Sequence, residues 1–159
     1  DSSLMQVFIS DEQTECSVDC EILESQIRSI LMVLECGDPE ISVLLTDDRK
    51  MRKLNKRYRD KNLTTDVLSF PQNEGGEEGL NPHLLGDVVI STTTAKRQST
   101  EHGLSLEEEI VLLLIHGILH LLGLDHERSD EEAHHMKEKT QELFNWIFPN
   151  KKPAESCNF

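Results

Sequence analysis

The stretch His116-Gly-Ile-Leu-His120-Leu-Leu-Gly-Leu-Asp125-His126 constrains this chain more than any other. It sets three imidazoles at intervals of four and six residues, directly behind the apolar run Ile110 to Ile115. Positions i and i+4 share one face of a helix, so His116 and His120 are expected to point at the same spot. Gly123, free to take a positive φ, is expected to end that helix and turn the chain, so that His126 approaches from outside the helical repeat. Three imidazoles buried behind apolar residues without a common partner would leave several ring nitrogens unsatisfied, at roughly 1–3 kcal/mol each. A shared cation removes that cost. The expectation is therefore a metal centre with His116, His120 and His126 as ligands. Neutral imidazole suits Zn²⁺, and Ni²⁺ or another divalent transition metal is possible by affinity. Three protein ligands leave a fourth position open, the arrangement of catalytic rather than structural zinc. Asp125 is a candidate either for orienting an imidazole or for shaping the turn.

The spacing overlays the metzincin protease pattern H-E-x-x-H-x-x-G-x-x-H with one difference. Where those enzymes carry the Glu that deprotonates the nucleophilic water, this chain has Gly117. That turns the site away from peptide hydrolysis. Glu107, Glu108 and Glu109 lie about two turns earlier and are read as helix-capping carboxylates.

The remaining pattern predicts an α+β (mixed α/β) fold with one sheet of about four strands and about five helices. Strands are expected at Met5 to Ser10, Ile41 to Thr46, Thr65 to Pro71 and Leu85 to Ser91. An amphipathic helix uses Ile22, Ile27, Ile30, Leu31 and Leu34. A second runs to about Tyr58 with Met51, Leu54 and Tyr58 inward, and a third ends near Gly103. Capping boxes at Ser105–Glu108 and Ser129–Glu132 start the metal-bearing helix and a final helix through Met136, Leu143, Trp146 and Ile147. Gln72 to His83 reads as a mobile loop. Residues 1–149 are expected to be a single domain, and 150–159 a disordered tail.

Net charge is −14, which argues against coating nucleic acid by bulk electrostatics. Yet eight of the sixteen Lys and Arg fall between Arg49 and Lys61, so a polyanion would be met there. No apolar run is long enough for a membrane span. The four cysteines do not read as a disulfide framework, which points to reduced thiols and a cytoplasmic home. His83, His102, His134 and His135 receive no role. Asp66, Ser69 and Asp87 are read as shaping strands and turns, with Ser69 and Asp87 able to line the cleft.

Three segments in order, Leu54-Asn-Lys-Arg-Tyr-Arg59-Asp-Lys-Asn-Leu-Thr-Thr65-Asp66-Val-Leu-Ser-Phe-Pro71, then Leu85-Gly-Asp-Val-Val-Ile-Ser91, then HGILHLLGLDH, make the chain resemble the YbeY family of metal-dependent endoribonucleases from about Val43 to Phe148. The resemblance implies a zinc-type site on His116, His120 and His126, with Arg59 in the same cleft binding or stabilising the phosphodiester. It implies cleavage of single-stranded RNA, in 16S rRNA maturation and ribosome quality control. Its expected partners are rRNA, the small ribosomal subunit and assembly factors. Arg59 and His116 are then the catalytic candidates, His116 through proton transfer if it is not a permanent ligand, and the nucleophile is either water or the RNA 2′-OH. Two other readings stay open: a ribosome-assembly or RNA-binding factor with a structural metal, and a metallohydrolase of another substrate class.

Overall fold

The computed structural model describes residues 4–72, 83–125 and 127–153. Its sheet has four strands, β1 (Gln6–Asp11), β2 (Glu40–Thr46), β3 (Val67–Pro71) and β4 (Leu84–Ser91), in the order β1-β2-β4-β3. β1, β2 and β4 run parallel, and β3 pairs antiparallel to β4 at the edge. The helices are α1 (Cys20–Val33), α2 (Asp48–Arg59), α3 (Thr92–His102), α4 (Leu106–Leu121) and α5 (Asp130–Ile147). The architecture is α+β with the element order expected.

Strand alternation decides which face each residue covers. Ile41, Val43, Leu45, Val88 and Ile90 project to one side, where they pack with Leu23, Ile27, Ile30 and Leu31 of α1 and the apolar body of α4. Leu68 and Val89 project to the other and meet Met51 of α2. α4 lies at the centre, with eleven of its sixteen residues buried, as a helix apolar on every side must be. Its full capping box forms: Ser105 Oγ accepts from Glu108 N–H, and Glu108 Oε1 accepts from Ser105 N–H.

Several details differ from the sequence reading. α1 starts at Cys20, capped by Asp19, and this phase puts Leu23 inward and leaves Ile22 exposed. Tyr58 is exposed, its ring edge-on to Phe70. Trp146 is exposed as well, and Thr140 and Phe144 take inward positions beside Met136 and Leu143. Only the hydroxyl half of the Ser129 box is seen, because the Glu132 carboxylate sits 3.7 Å from Arg128 instead. At the C-terminus, Lys151 Nζ lies 3.3 Å from Glu108, so the chain is placed against the start of α4 beyond residue 150. The expected mobile loop falls mostly on 73–82, and most of the expected tail on 154–159, both outside the described residues. Cys16, Cys20 and Cys36 are free thiols. No described helix is long and apolar enough to cross a membrane.

Candidate active site

A cleft of about 710 Å³ separates α4 from β3 and the segment that joins α2 to β3. His116 and His120 both line it, half-buried and one turn apart on α4. They stand in the C-terminal part of α4, toward the end of the helix whose dipole favours a cation. The helix stops as expected. Gly123 has φ +97°, its N–H donates to His120 O at 3.0 Å, and Leu124 N–H donates to Leu119 O at 3.0 Å. This pair of bonds is a Schellman motif, and it returns Asp125 to the cleft. There Asp125 Oδ1 accepts from Glu127 N–H at 2.9 Å, a turn-shaping bond. His126 lies outside the described residues.

Gly117 explains itself through packing. A Cβ at this position would lie 2.7 Å from Val88 Cγ1 and 3.2 Å from Ser69 Oγ. The position faces the sheet, not the cleft, so a peptidase-like glutamate has no room there.

Arg59 lines the opposite wall. It is the last residue of α2, fixed by Asp60, which caps the helix in the left-handed region at φ 57°. Asp tolerates that conformation better than most residues. Buried Asn55 donates from Nδ2 to Leu63 O at 2.9 Å and ties the following segment back to the helix. Arg59 Nη2 donates to Ser69 O at 3.4 Å, and Ser69 Oγ donates to Gly117 O at 3.1 Å. Two hydrogen bonds thus connect the guanidinium to the helix that carries His116. Arg59 has further N–H donors to offer a ligand.

The same segment is anchored at Thr64. Asp48 Oδ1 accepts from the hydroxyls of Thr64, Ser91 and Thr94, and Oδ2 accepts from Arg97 Nη1 at 3.0 Å. Burial by itself would raise the Asp48 pKa, but the bonds from Ser91, Thr94, Arg97 and Thr64 outweigh it and hold the group at about 2.

Three residues read otherwise from sequence line this cleft, Glu109, His102 and Asp66. Glu109 is fully buried, and its Oε1 lies 2.7 Å from His102 Nδ1 at the end of the cleft away from His120. It is not a capping carboxylate, because Glu108 alone closes the box. Burial pushes its pKa up, opposed by His102 and reinforced by Asp66 and Glu101. Oε2 has no hydrogen-bond partner among the described residues. A seven-residue interval puts Glu109 on the face of His116, and that periodicity was the available signal. Ser69 lines the cleft. Asp87 does not: it lies on the other face of the sheet, near Phe8 and Tyr58, because alternation turns it away from Val88. There burial pushes its carboxyl pKa up.

The basic segment is not one strip. Arg59 and Lys61 line the cleft. Arg49, Arg52, Lys53 and Lys56 line a separate groove, Lys50 faces the open side of the sheet, and the Arg57 guanidinium lies 5.3 Å from the Tyr58 ring centre.

The donor set at the α4 terminus, two imidazoles on one face, fits an imidazole-bound divalent ion. Opposite it stands a guanidinium suited to phosphate or carboxylate oxygens.

Residues 8–147 match the family model described as Endoribonuclease YbeY. The chain is 42% identical over 139 residues to the protein named Endoribonuclease YbeY from Syntrophotalea carbinolica, covering 87% of this chain and 93% of that one. It is 49% identical over 125 residues to the protein of that name from Aquifex aeolicus, covering 79% of each. Among solved structures, the solution structure of TM1509 from Thermotoga maritima has a similar fold, with a TM-score of 0.63 and 25% identity over 95% of this chain and 98% of that one.

Proposed function

The chain belongs to the endoribonuclease YbeY family, and from that membership we infer that it is an endoribonuclease, a hydrolase of RNA that acts in ribosomal RNA processing. The finer reading we propose is that it cuts single-stranded RNA in the cleft between α4 and Arg59, during 16S rRNA maturation and ribosome quality control in the cytoplasm. Small-subunit precursors and their assembly factors are its proposed partners. One observation carries the site: His116 and His120 open into the same cleft as Arg59, which is bonded through Ser69 to the helix that bears them.

His116, His120 and His126 would hold one Zn²⁺ or another divalent transition metal, the first two from α4 and the third from beyond the Gly123 turn. Such an ion supplies Lewis acidity and a nucleophile of lowered pKa at neutral pH. The residues do the rest. Arg59, already positioned by Ser69 O, donates its remaining N–H groups to the phosphate oxygens on which charge grows as the nucleophile adds. Should His116 leave the ligand set, its ring stands in the cleft to pass a proton. A carboxylate base at position 117 plays no part, since that position is filled by the sheet.

Metal analysis of freshly purified protein, coupled to cleavage of a labelled single-stranded RNA, tests the reading. Wild type is expected to hold one equivalent of metal. His120→Ala is expected to lose the metal and to cut at least about 10²-fold more slowly, in line with loss of a term worth several kcal/mol. Stoichiometric metal retained by His120→Ala would remove that residue from the ligand set.

A further inference from the structure

On the outer side of α2 a second groove, of about 830 Å³, is lined by Arg49, Arg52, Lys53 and Lys56, with Asn62, Leu63 and Thr64 along its rim. The four cations sit at i, i+3, i+4 and i+7, one stripe of the helix roughly 10 Å long. Leu63, which is 58% exposed, lines both this groove and the active-site cleft and so forms the ridge between them. Arg52 Nε donates to Asn62 Oδ1 at 3.0 Å, which fixes that guanidinium at the rim.

What singles the groove out is its ionic state. Outside the 49–61 segment most cations are matched, Arg28 with Glu24, Arg97 with Asp48, Arg128 with Asp125 and Glu132, Lys139 with Glu142 and Lys151 with Glu108, and the others, Lys96, Lys137 and Lys152, lie on separate parts of the chain. Among the described residues, Arg49, Arg52, Lys53 and Lys56 have no carboxylate partner. Asp48, the acid at the groove's end, is engaged by Ser91, Thr94, Thr64 and Arg97. A chain with 30 acids and 16 basic residues that leaves four neighbouring cations unmatched concentrates its positive potential there.

We propose that this groove is a backbone-phosphate track for the RNA strand on one side of the cut, reached from the cleft over Leu63. It rests on the endoribonuclease reading above and extends it. Continuity with the cleft favours RNA over an acidic peptide as the occupant. The cations bind by charge without reading bases, so the track adds affinity for longer strands without adding sequence preference.

The test uses the full chain and a triple variant, Arg49→Gln, Lys53→Gln and Lys56→Gln, which keeps Arg52 and its bond to Asn62. Thermal melting checks that the variant is folded. Fluorescence anisotropy then gives affinity across a salt series for two labelled single-stranded RNAs, one short enough to fill only the cleft and one several times longer. For the long RNA, the slope of log K against log salt is expected to fall by about 2, near 0.7 for each cation removed. Its low-salt affinity should weaken about tenfold or more, while binding and cleavage of the short RNA stay at wild-type values. A folded variant with an unchanged slope for the long RNA, while wild type still cuts the short one, overturns the track and leaves the nuclease reading standing. A wild-type chain that cuts neither RNA overturns the nuclease reading, and the track falls with it. Equal loss for a polyaspartate peptide as competitor would assign the groove to acidic protein instead and overturn the RNA path.

Discussion

Helix α4 carries His116 and His120 on a rod with eleven of its sixteen residues buried, whereas α2 carries Arg59 and its companions on twelve residues of which Met51 and Asn55 alone are buried. The first helix owes its place to the core and the second to its ends. α2 is held by the Asp48 network at its start and by the Asp60 turn and Asn55 at its finish. The contrast separates two tasks. On the proposed reading, the imidazoles that would share one ion sit on the packed element, and the groups that would need only to present charge sit on the solvated one. Arg59 belongs to the second helix by sequence and to the first by its tie through Ser69.

The most severe way to break this contrast is to disturb the packing that fixes α4. Gly117→Glu, which would complete the protease-like pattern, is expected to destabilise the fold by more than about 3 kcal/mol, since Val88 and Ser69 occupy the space. Gly117→Ala should cost about 1–2 kcal/mol, the overpacking reduced by alanine's better helix propensity. Adding Val88→Ala to Gly117→Ala should return less than additive loss in urea melts. A Gly117→Glu protein with wild-type melting behaviour would mean that the helix does not seat on β4 as described.

Substitution on the other helix should leave the fold alone and strike the rate. Arg59→Ala is expected to lower kcat/KM on single-stranded RNA by about 10²–10³-fold, as removal of one charge-stabilising donor group does elsewhere. Its melting temperature should stay close to wild type. Unchanged kcat/KM would remove Arg59 from the cutting machinery, whereas no cleavage by wild type or variant would favour the ribosome-assembly or RNA-binding reading. The smallest effect should come from acid. Asp48, depressed to about 2, stabilises the folded chain fully above the ordinary carboxylate pKa, and that contribution is lost as pH falls through about 2. With the side chain still 28% exposed, about 1–2 kcal/mol is at stake after discounting for solvent. Denaturant melts of wild type and Asp48→Asn should therefore differ most near neutral pH and converge between pH 4 and 2. A gap that persists at pH 2 would assign the effect to packing rather than to charge.

The parts of the site that were legible in sequence are those set by local rules. A four-residue interval on an apolar helix placed His116 and His120 together, and a glycine seven residues after His116 ended the helix in the left-handed turn that it alone adopts cheaply. Arg59 was reached by family resemblance; nothing local says that the last residue of a basic helix will bend into a cleft, because that depends on the Asp60 turn and on Ser69 three strand positions into β3. Glu109 was misread because three consecutive glutamates look alike until α3 packs on α4 and buries one against His102. The division of the α2 cations among three surfaces was hidden for a related reason, since periodicity gives the stripe but not what each stripe faces. Gly117 was visible as a departure from the protease pattern, while its cause, the approach of Val88, belongs to tertiary packing.

The sheet order carries a consequence for how the molecule is made. β2 must wait for β4 to pair with it, so the whole α2–β3 segment is looped out before the sheet closes. α4, with both histidines, follows β4 in the chain and completes the core from the other side. During synthesis the cationic helix therefore emerges well before the imidazoles, and on the proposed reading cutting power would wait for the long-range contacts that seat α4. On the proposed reading, a nascent or partly unfolded chain would cling to RNA without an assembled blade.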